Sequence, residues 1–252
     1  MLTKAMRWID LRGPALIGVL IAIVLPVGGC QTTNAGDRKV SAFDELVFGV
    51  TETTEGELSA ADPAIRVTRW HVPLRAHFAH PPPAPVAELG ALVLAELAAI
   101  TGHDLAMAAP GSRANVALVY GDPALLVRTL RAMGARIAGY EASSAAYGFC
   151  WSTHWHAAGE IRRAVVYIAD AGVMPDEKPG AIAACLRHEM GHVMGLRFHA
   201  ERSYSVMAAQ RSLRVYTATD RQVLRWLYHP GLPANGARDE VLRRLEGLPL
   251  DP

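Results

Sequence analysis

His188-Glu189-Met190-Gly191-His192 reads H-E-x-x-H. On a helix, side chains four apart project from one face, one turn above the other. Two imidazoles so placed can supply two nitrogen ligands to a tetrahedral zinc ion, with Glu189 beside the open coordination position. The metal acidifies water, and a neighbouring carboxylate can take its proton. Gly195 ends the helix, because a residue without Cβ can turn left-handed, and His199 can then swing back as the third ligand. From the chain's own residue frequencies, H-E-x-x-H arises by accident about 0.02 times per sequence of this size, and the longer pattern roughly once in ten thousand. Residue types alone therefore predict Zn2+ on His188, His192 and His199, with Glu189 as the catalytic base.

The elements that must position these groups follow from periodicity and punctuation. Pro179 to Met194 reads as the helix that carries the histidines, stopped by Gly195. Ala164–Ala169 is an apolar strand before it, and Asn115–Tyr120 another, closed by Gly121-Asp122-Pro123. Asp122 caps a helix through Met133, and Val86–Ile100 forms an earlier one with Leu89, Leu92, Val93, Leu97 and Ile100 inward. Ile65–Phe78 alternates around Pro73 as one or two strands. Gly- and Ser-rich irregular chain is expected from Met133 to about Gly159. Thr217–Asp220 offers caps for a helix through Tyr228, and a last helix runs from Asp239 to Leu245. Residues 41–50 read as an opening helix, followed by an acidic, Thr-rich surface loop. Residues 31–64 could act as an inhibitory propeptide, which the sequence leaves open.

Other chemistry-bearing residues rank lower. His154 and His156 alternate as on a strand and could form a second metal site or a substrate rim, although exposed loop histidines fit better. His71, His77, His80 and His103 show no ligand spacing. Tyr204 and Tyr216 could stabilise an oxyanion, with packing the commoner role for tyrosine. His229, before Pro230, closes a helix.

The chain has 252 residues, 51% hydrophobic and 19% charged, with a net charge of +1, which excludes disorder and gives no support to nucleic-acid binding. Lys4, Arg7 and Arg12 flank Asp10, and Gly13–Gly29 carries no charge. The apolar heart Ala15–Val27 is short for a spanning helix, which needs about 20 residues, and suits a secretory signal. An uncleaved anchor is the alternative. Either way the remainder, with 22 basic and 23 acidic side chains, lies outside the cytoplasm. Export leaves Cys150 and Cys185 as an even pair in an oxidising compartment. Bridged, they would contribute roughly 3–4 kcal/mol. Two buried thiols are the alternative, and a thiolate ligand at Cys185 fits less well, being a turn too far from the His188/His192 pair.

Three resemblances add to this. Val27-Gly28-Gly29-Cys30 resembles the lipobox of bacterial lipoproteins, which implies lipidation of Cys30; Gln31 after it implies the outer membrane, facing the periplasm. HEMGHVMGLRFH resembles the metzincin zinc-binding consensus, and Tyr204-Ser205-Val206-Met207 resembles its Met-turn, with Met207 eight residues past His199. By the same resemblance, Val165–Ile168 is the edge strand that pairs with substrate backbone. More widely, Arg69-Trp70, Asn115-Val116, the Cys150 and Cys185 pair, the helix before Gly195-Leu196, and Asp220 through Leu227-Tyr228-His229-Pro230 are similar to an uncharacterised bacterial family, domain of unknown function 2927. That resemblance implies a zincin-like fold and leaves activity to be argued from the residues. The expected architecture is α/β (α+β): a mixed sheet, an active-site helix carrying H-E-x-x-H, and C-terminal helices. The expected organisation is a signal at 1–29, a tether at 30–40 and one domain at 41–252. The expected function is that of a monomeric, lipid-anchored zinc peptidase with a peptide or protein substrate. A non-catalytic zincin-fold lipoprotein, or a zinc amidase on cell-wall peptides, are the alternatives.

Overall fold

Two strands with unbroken apolar runs organise the centre of the molecule. In the computed structural model, β6 (Val116–Tyr120) and β8 (Glu160–Ile168) pair in parallel. Val116 and Leu118, with Ala164, Val166 and Ile168, enter the main core, whereas Ala117, Val119, Val165 and Tyr167 enter a second core on the other face. Alternate residues of a strand point to opposite faces, so a strand covered on both sides must be apolar throughout.

The structure describes residues 35–52, 58–60, 62, 64–134, 150–170, 179–201, 204–209 and 213–248. The expected signal at 1–29 and Cys30 lie outside them. In chain order the elements before β6 are α1 (Ala35–Phe43), a π-helical turn (Asp44–Phe48), the hairpin β1 (Val50–Glu52) and β2 (Leu58–Ala60), β3 (Arg69–Trp70), β4 (Leu74–Phe78), α2 (Ala84–Thr101) and β5 (Leu105–Met107). After β6 come α3 (Pro123–Ala132), β7 (Cys150–Ala157), β8, α4 (Pro179–Val193), α5 (Ala218–Leu227) and α6 (Arg238–Leu245). The large sheet runs β3-β8-β6-β4-β5 with every pairing parallel, and β7 is added antiparallel to β8. The main core takes in α2, α4 and α5, and α3 packs on the opposite face. The α/β reading with a mixed sheet holds.

Local expectations hold where the signal is local. Asp122 accepts from the Ala124 N–H at 2.6 Å and caps α3. Thr217 and Asp220 form a reciprocal capping box on α5. Five expectations need correction. Leu92, read as inward on α2, is 57% exposed, and Leu94 is buried instead. The helix begins at Ala35, inside the segment read as a tether, and Ala42–Phe48 is buried in the main core. The acidic stretch after it contains the β1–β2 hairpin. The chain before Gly159 is not irregular throughout, since Cys150–Ala157 is a strand. Finally, Val165–Ile168 is not an edge: β8 lies between β6 and β7, and β7 is the outer strand.

β7 and β8 join through Ala158 (φ +49°) and Gly159 (φ +79°). Two successive positive φ values are those of a type I′ turn, whose twist matches a two-stranded hairpin. A Cβ at Gly159 would also stand 2.5 Å from the Asn235 nitrogen, so glycine is required there twice over.

Candidate metal centre

α4 is buried from Ala184 to Gly191, between the sheet and the other helices of the main core. Its polar residues are therefore accounted for one by one. Arg187 donates to Glu96 at 2.9 Å, and Glu96 also accepts from Arg221 at 2.8 Å, which ties α4 to α2 and α5. His188 is fully buried; its Nδ1 lies 2.8 Å from the Val206 carbonyl. His192 Nδ1 lies 2.6 Å from the Leu196 carbonyl. A carbonyl only accepts, so each Nδ1 carries the hydrogen and each Nε2 is left with its lone pair.

Those lone pairs face a third ring. His192 Nε2 and His199 Nε2 are 3.3 Å apart, and the three ring centroids are separated by 4.9, 5.0 and 5.1 Å. Candidate donor atoms of all three histidines lie within 4.8 Å of one another. Ligand nitrogens at about 2.0–2.1 Å from a tetrahedral ion stand about 3.3–3.4 Å apart, so the His192–His199 spacing fits a shared metal. Among the described residues this is the group that could hold one.

Each expected site residue can now be placed. His188, Glu189 and His192 sit on α4, and His199 sits on the loop beyond Gly195. Gly195 has φ +109°, and a Cβ there would meet the Thr68 carbonyl oxygen at 2.1 Å. Met207 is fully buried directly under α4, where a Cβ at Gly191 would come within 2.3 Å of its sulfur. Residues 205–208 form a tight turn, Ala208 N–H donating to the Ser205 carbonyl at 3.1 Å. Cys150 and Cys185 form a disulfide, joining the start of β7 to α4. Glu189 is buried and accepts from Ser152 Oγ at 2.7 Å.

The remaining candidates separate. His154 and His156 are not on a loop. They lie on β7 and line a cleft of ≈ 440 Å³ with Trp151, Ser152, Thr153, Glu189, His192, Arg197 and His199. Burial pushes His154 down to about 4, and the positive charges of His156, Arg197 and His192 act in the same direction. His156 is lowered by burial and then by Arg197. Tyr216 is buried and donates to the Arg187 carbonyl at 2.9 Å, away from the cleft; Tyr204 is 75% exposed and does not line it either. His77 and His80 border a separate cavity of ≈ 520 Å³ beside α3. His103 donates to the Val72 carbonyl, His71 is exposed, and His229 Nδ1 accepts from Gly231 N–H at the end of α5.

A family model described as a protein of unknown function (DUF2927) matches residues 40–247. The chain belongs to that family. No curated protein matches it.

Every ligand candidate, the disulfide and the cleft lie within the DUF2927 domain, and the structure gives physical roles to its Arg69-Trp70 pair. The Arg69 guanidinium donates to the carbonyls of Leu227, His229 and Leu232 at 2.7, 3.0 and 3.0 Å, satisfying acceptors at and beyond the end of α5. Trp70 Nε1 donates to the Val193 carbonyl at 2.8 Å, at the end of α4. Tyr228 reaches the next carbonyl, Met194, at 3.0 Å. These groups fix the turn that redirects the chain toward His199.

Sequence reasoning missed four parts of the site. Ser152 and Arg197 carried no motif. Asp220 was visible as a helix cap and in the family resemblance but not as a support of the site, yet its carboxylate also accepts from the Ser205 hydroxyl and, at 3.1 Å, from the Val206 N–H. It thereby holds the turn whose carbonyl orients His188. The N-terminal stretch was not legible as part of the site, although Phe198 N–H donates to Leu46 O and Glu201 N–H to Glu45 Oε1, on either side of His199.

Proposed function

We propose that this protein is a zinc-dependent peptidase of the metzincin-like kind, exported and held at the bacterial cell envelope by a lipid on Cys30. The observation that carries the reading is the pair of locked tautomers at His188 and His192, with His199 Nε2 3.3 Å from His192 Nε2, beside a buried carboxylate. His188, His192 and His199 would hold zinc through Nε2. When bound, zinc supplies Lewis-acid polarisation of a carbonyl and acidifies water. Glu189 accepts the water's proton on its carboxylate and returns it to the leaving amine. Ser152 orients that carboxylate by donating to Oε2. β7 supplies an outer strand along the cleft, on which an extended peptide could pair by strand addition.

Zinc quantification on wild type and His192→Ala, paired with a peptide-hydrolysis assay on Glu189→Gln, tests the proposal. One zinc per wild-type chain, loss of zinc in His192→Ala, and zinc without hydrolysis in Glu189→Gln are expected. A metal-free wild-type protein would favour a binding or assembly role for the same scaffold. Hydrolysis by Glu189→Gln would overturn the assignment of the base.

A further inference from the structure

The two charged groups lining the cleft are not equivalent. Arg197 is its cation and Glu189 its acid, while His154 and His156, both lowered by burial, line it as neutral imidazoles beside the ligand candidates His192 and His199. Glu189 is buried and accepts from Ser152 at the catalytic end. Arg197 differs from other half-buried arginines of the protein. Arg75 pairs with Asp104, Arg221 with Glu96 and Arg238 with Asp44. Among the described residues, none offers Arg197 an ion pair or hydrogen bond. A half-buried guanidinium without an anion has given up part of its hydration with nothing in return, which is costly unless a ligand provides the missing group.

We propose that the cleft selects peptides carrying a carboxylate one or two residues from the scissile bond, with Arg197 as its partner and His154 and His156 on the neighbouring wall. This rests on the reading of the cleft as a peptide site. Arg197 lies on the loop between His192 and His199, so its ligand group must fall close to the metal end. β7 presents Ser152, Thr153, His154 and His156 along the path of an extended chain, which advances about 3.3 Å per residue. A guanidinium binds a carboxylate through two parallel N–H bonds, which sets direction as well as charge. Lysine- or arginine-bearing peptides meet the like charge of Arg197 at that position and are disfavoured. The carboxylate can come from a Glu or Asp side chain or from a free C-terminus; the chemistry is shared.

The test measures binding by calorimetry on the full chain, detergent-solubilised and carrying Glu189→Gln to stop turnover. Alanine octapeptides with one Glu or Gln at each position in turn, and with a C-terminal acid or amide, separate the two sources. Each is measured with zinc present and with zinc removed. The acid member of at least one pair should bind about 10- to 100-fold tighter than its neutral partner. Arg197→Gln should reduce that ratio to about threefold or less with zinc content unchanged, and Arg197→Lys should keep part of it, as a point charge does. Equal binding of acid and neutral peptides in the Arg197-containing protein overturns the proposal, whatever the variants do. So does an acid preference that survives Arg197→Gln and disappears only on removing zinc, because the carboxylate would then sit on the metal. Hydrolysis by the protein with Glu189 restored is scored separately. Acid-selective binding without hydrolysis removes the catalytic reading and leaves this one; hydrolysis without acid preference does the reverse.

Discussion

Replacing Asp220 by alanine should damage two things at once, and the structure says by how much. The carboxylate is fully buried and accepts from the Ser205 hydroxyl, the Val206 N–H at 3.1 Å, the Thr217 N–H at 2.8 Å and the Thr217 hydroxyl at 2.8 Å. Removing it leaves two backbone N–H groups short of an acceptor, at about 1–3 kcal/mol each, and removes half of a capping box. A loss of about 3–7 kcal/mol follows, which a domain in the middle of the typical range of about 5–15 kcal/mol survives. The second effect is specific to the site. Asp220 fixes Val206, and the Val206 carbonyl fixes His188 through Nδ1, so metal affinity should fall about 10- to 100-fold, as for other groups that orient a ligand. Chemical denaturation measures the first effect, and competition against a chromophoric zinc chelator the second. Thr217→Ala is the control, because it removes the cap of α5 at about 1 kcal/mol and leaves Ser205 and Val206 with their acceptor. If Asp220→Ala loses stability yet binds zinc as well as Thr217→Ala does, the coupling from α5 to His188 is wrong.

Three further outcomes are expected. Gly195→Ala should cost at least about 2 kcal/mol, because φ +109° suits only glycine and the new Cβ would meet the Thr68 oxygen at 2.1 Å; a denaturation midpoint equal to wild type would refute this. Reducing the Cys150–Cys185 bridge, which spans 35 positions, should lower stability by about 3–4 kcal/mol and release two titratable thiols; thiols that react before reductant is added would show the bridge is not formed. His154, pushed down to about 4 by burial, should titrate in NMR well below its ordinary value of about 6.5. The unfolded chain then takes up that proton first, so this residue favours unfolding increasingly as pH falls from about 6.5 towards 4, and has no effect on stability above that window. A His154 midpoint at or above about 6.5 would refute its burial.

What the sequence made legible was whatever a few neighbouring residues decide. The Thr217–Asp220 and Asp122 caps and the left-handed Gly195 are set within one helical turn, and each stands where its residue type predicts. β7 escaped because its evidence is distributed. Its turn is Ala158-Gly159 rather than Asn-Gly, so the positive φ at Ala158 is imposed by the hairpin and not announced by the residue. Its side chains from Trp151 to Trp155 are all half-buried, giving no two-period alternation to read. The same intermediate burial is what a strand lining an open cleft must have. The feature that hid the strand is thus the feature that makes it part of the site.

The N-terminal segment poses the converse problem, since nothing near it in sequence reveals its importance. An inhibitory propeptide must be able to leave without unfolding the domain. Phe43, Leu46, Val47 and Phe48 are at most 1% exposed and lie in the main core, where Phe43 meets Trp226 edge-on at 6.4 Å. Baring four such side chains costs about 1.5–3 kcal/mol each, a total comparable to the whole stability of a domain. Asp44 is tied to Arg238 at the start of α6 at 2.5 Å, and Leu46 and Glu45 hold the backbone on both sides of His199. His199 is also the one ligand candidate outside α4, so its loop has no helix to fix it. Chain more than 150 positions earlier does so instead, as the reach from Glu45 to Glu201 shows. The match of the family from residue 40 onward agrees with this, because a domain that began later would lack the support for its third histidine. Residues 42–48 are therefore part of the folded site, and removing them should cost the domain its fold rather than unmask an activity.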